Sequence, residues 1–79
     1  MSLATLTWGC DAVIEHLHVG ASDAALLRAM GLAPGERVRV LRVAPFGGPY
    51  QVRVGTMAFA LDRALAHSVA VRALDPAAE

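Results

Sequence analysis

The chain has 79 residues, 56% of them hydrophobic and 18% charged, and its seven arginines and seven acidic side chains sum to no net charge at pH 7. That length holds one small domain, below the usual size of about 100 to 150 residues, and the apolar content excludes a disordered tail. With no field of a single sign, nucleic acid and anionic membranes are excluded as partners held by charge alone.

Sixteen of the residues are alanine, which fills space but adds little burial energy, so the core is expected to be thin. Apolar area left at the surface favours a partner or self-association. The single cysteine, Cys10, excludes an internal disulfide and any Cys-rich zinc module, and points to a reducing compartment. No lysine is present, which removes the phosphate-reaching lysine of a P-loop and the Schiff-base lysine of pyridoxal chemistry. The longest unbroken apolar run, Met57 to Leu61, is far short of the roughly 18 residues a spanning helix needs. The first residues lack a basic stretch ahead of an apolar one, so the expectation is a cytoplasmic protein that is not itself membrane-inserted.

Neither a repeat nor an internal linker interrupts the chain. Residues 1–79 are read as one domain with its core over about 9–74, an indistinct opening from Met1 to Gly9 and a C-terminal tail over 75–79. From Asp11 to Val19, the residues Val13, Ile14, Leu17 and Val19 stand among polar ones, a strand pattern with one break in parity. Ser22 then predicts an N-cap for a helix over Asp23 to Met30, with Leu26, Leu27 and Met30 as its apolar stripe and Gly31 as its stop. Eight residues are marginal as a free helix, so this one must dock on a sheet.

Ala33-Pro34-Gly35-Glu36 fits a type II turn, proline setting the first central φ and glycine allowing a positive second one. Arg37 to Val43 alternates until Leu41 and Arg42 reverse the parity, which predicts a bulge or bend within one strand. Tyr50, Val52 and Val54 form the apolar face of the next strand, and Met57, Phe59 and Leu61 that of another, with Ala58 and Ala60 opposite. Asp62 is placed to cap a helical turn reaching Ala66, and Val69, Val71 and Ala73 close the pattern as a last strand. The fold class expected is mainly β, a small barrel of about five antiparallel strands with a short α-helix inserted after the first. Val38, Val40, Val52, Val54, Phe59, Leu61, Val69 and Val71, with Leu27 and Met30 of the helix, are the predicted core.

The order of these motifs is informative. Leu27, Met30, Gly31, Leu32, Pro34 and Gly35 form one block, Ala44, Pro45, Phe46, Gly47 and Pro49 a second, and Leu61, Ala66, Val69 and Val71 the closing stretch. In these blocks, from about Gly9 to Leu74, the chain resembles the FeoA (ferrous iron transport protein A) domain family. It departs from the family pattern at Leu26 and Asp62, where arginine is common, and at Leu65, where an acidic residue is. The resemblance implies an SH3-like barrel. It also implies a non-enzymatic, cytoplasmic accessory protein of ferrous iron uptake that contacts the cytosolic part of the membrane transporter FeoB. The alternative it leaves is a FeoA-like sensory domain of the kind appended to metal-dependent transcriptional repressors.

Several side chains are candidates for chemistry. His16 and His18, two apart on a strand, point to one side, and Cys10, Asp11 or His67 could add ligands to a Zn²⁺ or Fe²⁺ site. Because one strand supplies only two imidazoles, metal binding is expected to be weak or shared between two chains, and a homodimer is the further partner considered. No cofactor is required. Ser68 and His67, read as adjacent strand residues, face opposite sides and cannot act as nucleophile and base. Arg37, Arg39, Arg42 and Arg53 cluster on neighbouring strands, yet without interleaved aromatics they do not predict a nucleic-acid binder. Phe46, framed by Pro45 and Gly47-Gly48-Pro49, is either a lid folded over the barrel end or a rigid apolar tip for a partner, and the loop Pro45, Phe46, Gly47, Gly48 and Pro49 is the predicted partner-binding segment.

Overall fold

The structure, a computed structural model, describes residues 1–6 and 9–74. The tail expected over 75–79 lies outside the described residues. Strands run over Asp11–Leu17 (β1), Arg37–Val43 (β2), Tyr50–Val54 (β3), Met57–Leu61 (β4) and Val69–Leu74 (β5), with helices over Ala21–Ala29 (α1) and Arg63–Ser68 (α2). All strand pairs are antiparallel, in the order β4-β3-β2-β1-β5. The sheet has the strand count and inserted helix expected of the small barrel, but its strands do not close a hydrogen-bonded ring, and β4 and β5 are its two edges.

Two bulges shape the sheet, one in each strand where the sequence breaks parity. In β1 the register against β5 shifts between Ile14 and His16. Strict alternation would turn His16 inward after Ala12 and Ile14. The additional residue, Glu15, rotates His16 and His18 out to solvent and brings Leu17 into the core. In β2 the shift falls between Val40 and Arg42. Leu41 takes up the irregularity there, so Arg42 faces outward instead of following Val40 into the interior.

Helix α1 starts two residues earlier than the serine suggests. Gly20 is its N-cap, its carbonyl accepting from the Ala24 amide at 2.9 Å, and Ser22 lies inside the first turn without a capping role. At the other end Gly31, with φ at 97°, donates to the Arg28 carbonyl and Leu32 donates to that of Leu27, the paired bonds of a Schellman motif. Leu27 and Leu32 are both buried there, while Ala24 and Met30 pack half-buried against the core. The stripe is therefore narrower than Leu26, Leu27 and Met30 predicted. Leu26 is 61% exposed because it projects from the flank of the line through Ala24, Leu27 and Met30.

The turn Ala33 to Glu36 forms as expected, with Glu36 donating to the Ala33 carbonyl at 3.0 Å and Gly35 at a φ of 92°. Asp62 caps α2, its Oδ1 accepting from the Leu65 amide at 2.8 Å. Asp62→Ala should lower stability by about 0.5–2 kcal/mol through the lost cap, a shift that thermal denaturation resolves in a domain this small.

Of the predicted core, Phe59 and Met30 are only half-buried, and the others are buried. Phe59 faces the same way as its partner Val52, but β4 has a neighbour on one side only, so the outer half of the ring reaches past the interior. Ala73, read as an inward residue of β5, is exposed. Larger differences lie at the N-terminus, which the sequence pattern left indistinct. Leu3, in a single 3₁₀ turn over Leu3–Thr5, is completely buried and Leu6 nearly so. Val71 donates to the Met1 carbonyl, and the Tyr50 hydroxyl to the Ala4 carbonyl at 3.1 Å, so this segment closes one end of the core. Ile14, Leu17, Leu32, Tyr50 and Ala66 complete the interior.

Candidate functional site

The connection between β2 and β3 is a short platform. Its base is closed by the Ala44 amide donating to the Pro49 carbonyl at 3.0 Å, and Pro45 opens a 3₁₀ turn over Pro45–Gly47. Phe46 sits in the left-handed region, φ 65° and ψ 30°, and its side chain is 104% exposed. It does not form a lid. Beneath it, Arg63 of α2 lies against the glycine backbone: a Cβ on Gly47 would come within 3.1 Å of its guanidinium, and one on Gly48 within 3.7 Å of its Cβ. The missing side chains let the arginine reach under the turn, and Gly47 also adopts a φ of 85°. The arrangement holds one unsupported aromatic ring out from a proline- and glycine-framed loop, a form suited to insertion into a partner's pocket.

The structure brings His16 and His18 together but, among the described residues, joins no further ligand to them. Their ring centroids are 4.4 Å apart in an edge-on arrangement, both exposed at the end of β1. Cys10 is exposed before the start of that strand, and Asp11 is engaged with Arg39. Among the described residues no group of three or more His, Cys, Asp or Glu side chains is placed to hold a metal ion. Two imidazoles from one strand do not fill the four positions of a closed zinc site. His67 and Ser68 lie not on a strand, as the sequence suggested, but in the last turn of α2, which runs two residues past the expected Ala66, and Ser68 Oγ donates to the Ala64 carbonyl at 3.0 Å and not to His67.

A pairing that the sequence order conceals lies on the outer face of the sheet. Arg39 donates to both oxygens of Asp11, Nε to Oδ1 at 2.8 Å and Nη2 to Oδ2 at 3.1 Å, across 28 residues of sequence. These two bonds hold the Asp11 carboxyl below the usual aspartate range; slight burial opposes them, and the charges of Arg39, Arg37 and Arg53 add to the effect. A depressed folded-state value contributes stability above the ordinary aspartate pKa of about 3.9, which is lost as pH falls through that value and below. Titration of Asp11 by NMR should therefore give a midpoint under the ordinary one, returning toward it in Arg39→Gln. Asp11→Asn should flatten this part of the acid limb of stability.

Comparison with known proteins matches these features to one family. A model of the FeoA domain matches residues 1–73. FeoA of Stenotrophomonas maltophilia, described as a prokaryotic SH3 domain protein and crystallised with zinc, is 38% identical with a TM-score of 0.78, the match covering 91% of this chain and 89% of that one. Iron(II) transport protein A of Clostridium thermocellum is 31% identical with a TM-score of 0.87, covering 94% of this chain and 46% of that one, so this chain spans less than half of that relative. FeoA of Chlorobium tepidum is 30% identical with a TM-score of 0.87, covering 94% of this chain and 70% of its own. A manganese-dependent transcriptional repressor, 19% identical with a TM-score of 0.83 over 94% of this chain and 41% of its own, shares the fold. No curated protein gives a sequence match. No helix among the described residues is long and apolar enough to cross a membrane. The chain belongs to the FeoA domain family, whose members are non-enzymatic accessory domains linked to ferrous iron transport.

Proposed function

We propose that this protein serves ferrous iron uptake in the cytoplasm by docking on the cytosolic portion of a FeoB-type transporter, with the loop Pro45–Pro49 as contact and Phe46 as anchor. The observation that supports this reading is the Phe46 ring itself, wholly exposed on a turn whose shape is set by Pro45, Gly47 and the underlying Arg63. An exposed aromatic on a pre-shaped loop loses little conformational freedom on binding, which is what favours a small anchor over a large interface. The test is capture of the transporter's purified soluble portion by the immobilised chain. Saturable binding supports the reading. Absence of binding at about 100 μM, weaker than transient protein contacts normally are, overturns it.

Zinc is read as an occasional ligand of the His16 and His18 pair, shared between two copies, and not as a resident cofactor. Sedimentation should show a zinc-dependent dimer for the wild-type chain and none for the His16→Ala, His18→Ala double variant. Identical profiles for both, with and without Zn²⁺, retire the shared site. The fold likeness to manganese-dependent repressors favours a second reading, a sensory domain that responds to a metal ion instead of docking on a transporter. A Mn²⁺-induced change in melting temperature together with no transporter capture selects it.

A further inference from the structure

We propose that the outer face of β1, β2 and β3 holds carboxylate side chains of an acidic, extended segment of a partner protein, gripped by Arg37 and Arg53. This surface is separate from the Phe46 loop and does not depend on the transporter reading. The register places Asp11, Arg39 and Arg53 in one row across three strands, since Asp11 pairs with Arg39 and Arg39 with Arg53. Arg37 lies two residues along β2 from Arg39, on the same side. The opposite side of these strands carries Val38, Val40, Val52 and Val54, all buried, so the three guanidiniums are confined to the outer face. There they line an open groove of about 290 Å³ with Asp11, Glu36 and Gly55.

The charges in this groove are unevenly matched. Asp11 spends both oxygens on Arg39. Among the described residues, Arg37 and Arg53 meet no carboxylate within ion-pair distance. Arg39 and Arg53 stand directly opposite each other, and like charges in that position destabilise a strand pair unless an anion lies between or beside them. Asp11 already shows which ligand the face accepts, a carboxylate bound through two parallel N–H bonds. A second carboxylate near Arg37 and Arg53 would repeat that contact.

The same lining argues for carboxylate over phosphate. Three arginines against Asp11 and Glu36 leave the groove only weakly positive, so charge alone does not select the anion, and the planar two-oxygen contact that Arg39 makes with Asp11 is the geometry that favours a carboxylate. No aromatic side chain lines the groove to stack a base. A row running across strands, open to solvent, matches side chains spaced along an extended peptide, not a compact small molecule.

The probe is a fluorescein-labelled hexaglutamate peptide, titrated into the full chain at low ionic strength and followed by anisotropy, with amide shift mapping of the same complex. Saturable binding that weakens with added salt is expected, with shifts centred on Arg37, Arg53 and Gly55. Arg37→Gln and Arg53→Gln should each weaken it by about fivefold or more, as loss of a charge-assisted bond does, while Arg28→Gln, removing an equal charge from α1, should stay within about twofold. Equal losses in all three variants would reduce the effect to net charge and overturn the site, as would shifts centred elsewhere or no saturable binding. Competition by inorganic phosphate at concentrations where free glutamate has no effect would overturn the choice of carboxylate. Melting temperatures of the variants keep these outcomes separate from unfolding, and the wild-type shift map decides the location without any variant.

Discussion

Leu3→Ala is expected to lower the stability of this domain by about 2–5 kcal/mol, the range for deleting a leucine side chain from a packed interior. The residue is two positions from the first methionine, yet it has no solvent exposure and sits in the same cluster as Val69 and Val71 of β5 and Ala66 of α2. A domain of this length has a total stability of roughly 4–12 kcal/mol, so the loss removes a large share of it. Thermal denaturation should show a fall of ten degrees or more, at about 4–8 °C per kcal/mol for small domains. Leu26→Ala is the comparison. That side chain is 61% exposed and should move the midpoint by no more than about 2–4 °C, within the roughly 0.5 kcal/mol typical of surface substitutions. If both variants melt alike, the N-terminal turn is not part of the core.

Phe46→Ser should weaken capture of the transporter's soluble portion by about 1–3 kcal/mol, some five- to 150-fold in Kd, with the melting temperature almost unchanged. The ring makes no burial contribution to lose, since it is fully exposed. Phe46→Gly separates shape from strain. An L-residue in the left-handed region costs about 1–2 kcal/mol, and glycine escapes that cost while adding roughly 0.5–1 kcal/mol of unfolded-chain freedom. The glycine variant should therefore melt no lower than wild type and bind as poorly as the serine one. A drop of several degrees in both, with binding per folded molecule unchanged, would make the loop structural and remove Phe46 from the interface.

The strands and the helix were legible because their causes are local. Val38 and Val40, or Val52 and Val54, alternate with arginine and glutamine, and a sheet with one wet face requires that alternation. The helix stop at Gly31 and the turn at Pro34-Gly35 follow from residues that permit or impose the necessary φ, and Asp62 caps a helix whose first amides have no other acceptor. The bulge in β2 was legible from its reversed parity, and in β1 the pattern showed a break in parity whose cause, a bulge between Ile14 and His16, the structure supplies. What each one turns outward, His16 in β1 with His18 just past its end and Arg42 in β2, needs only the rule that one inserted residue reverses all that follow.

Other features depend on what the chain meets at a distance. Ser22 has the chemistry of a cap, but the chain enters the helix at Gly20, which leaves the serine two residues past the cap, inside the first turn, where it has no capping role. Phe59 belongs to the inward face, yet an edge strand with one neighbour cannot enclose a whole ring. Asp11 and Arg39 meet across 28 residues because β1 and β2 pair in one register, and nothing at either position announces the other. Composition and pattern by themselves determined a small β domain without catalytic groups, its turns, the bulge in β2, the break in parity in β1 and the proline-framed Phe46. Only the tertiary structure decided that Leu3 closes the core, that Phe46 points to solvent, that the two histidines meet no third ligand among the described residues, and that three arginines share one groove. Each of these depends on which distant segments become neighbours, and local periodicity does not encode that choice.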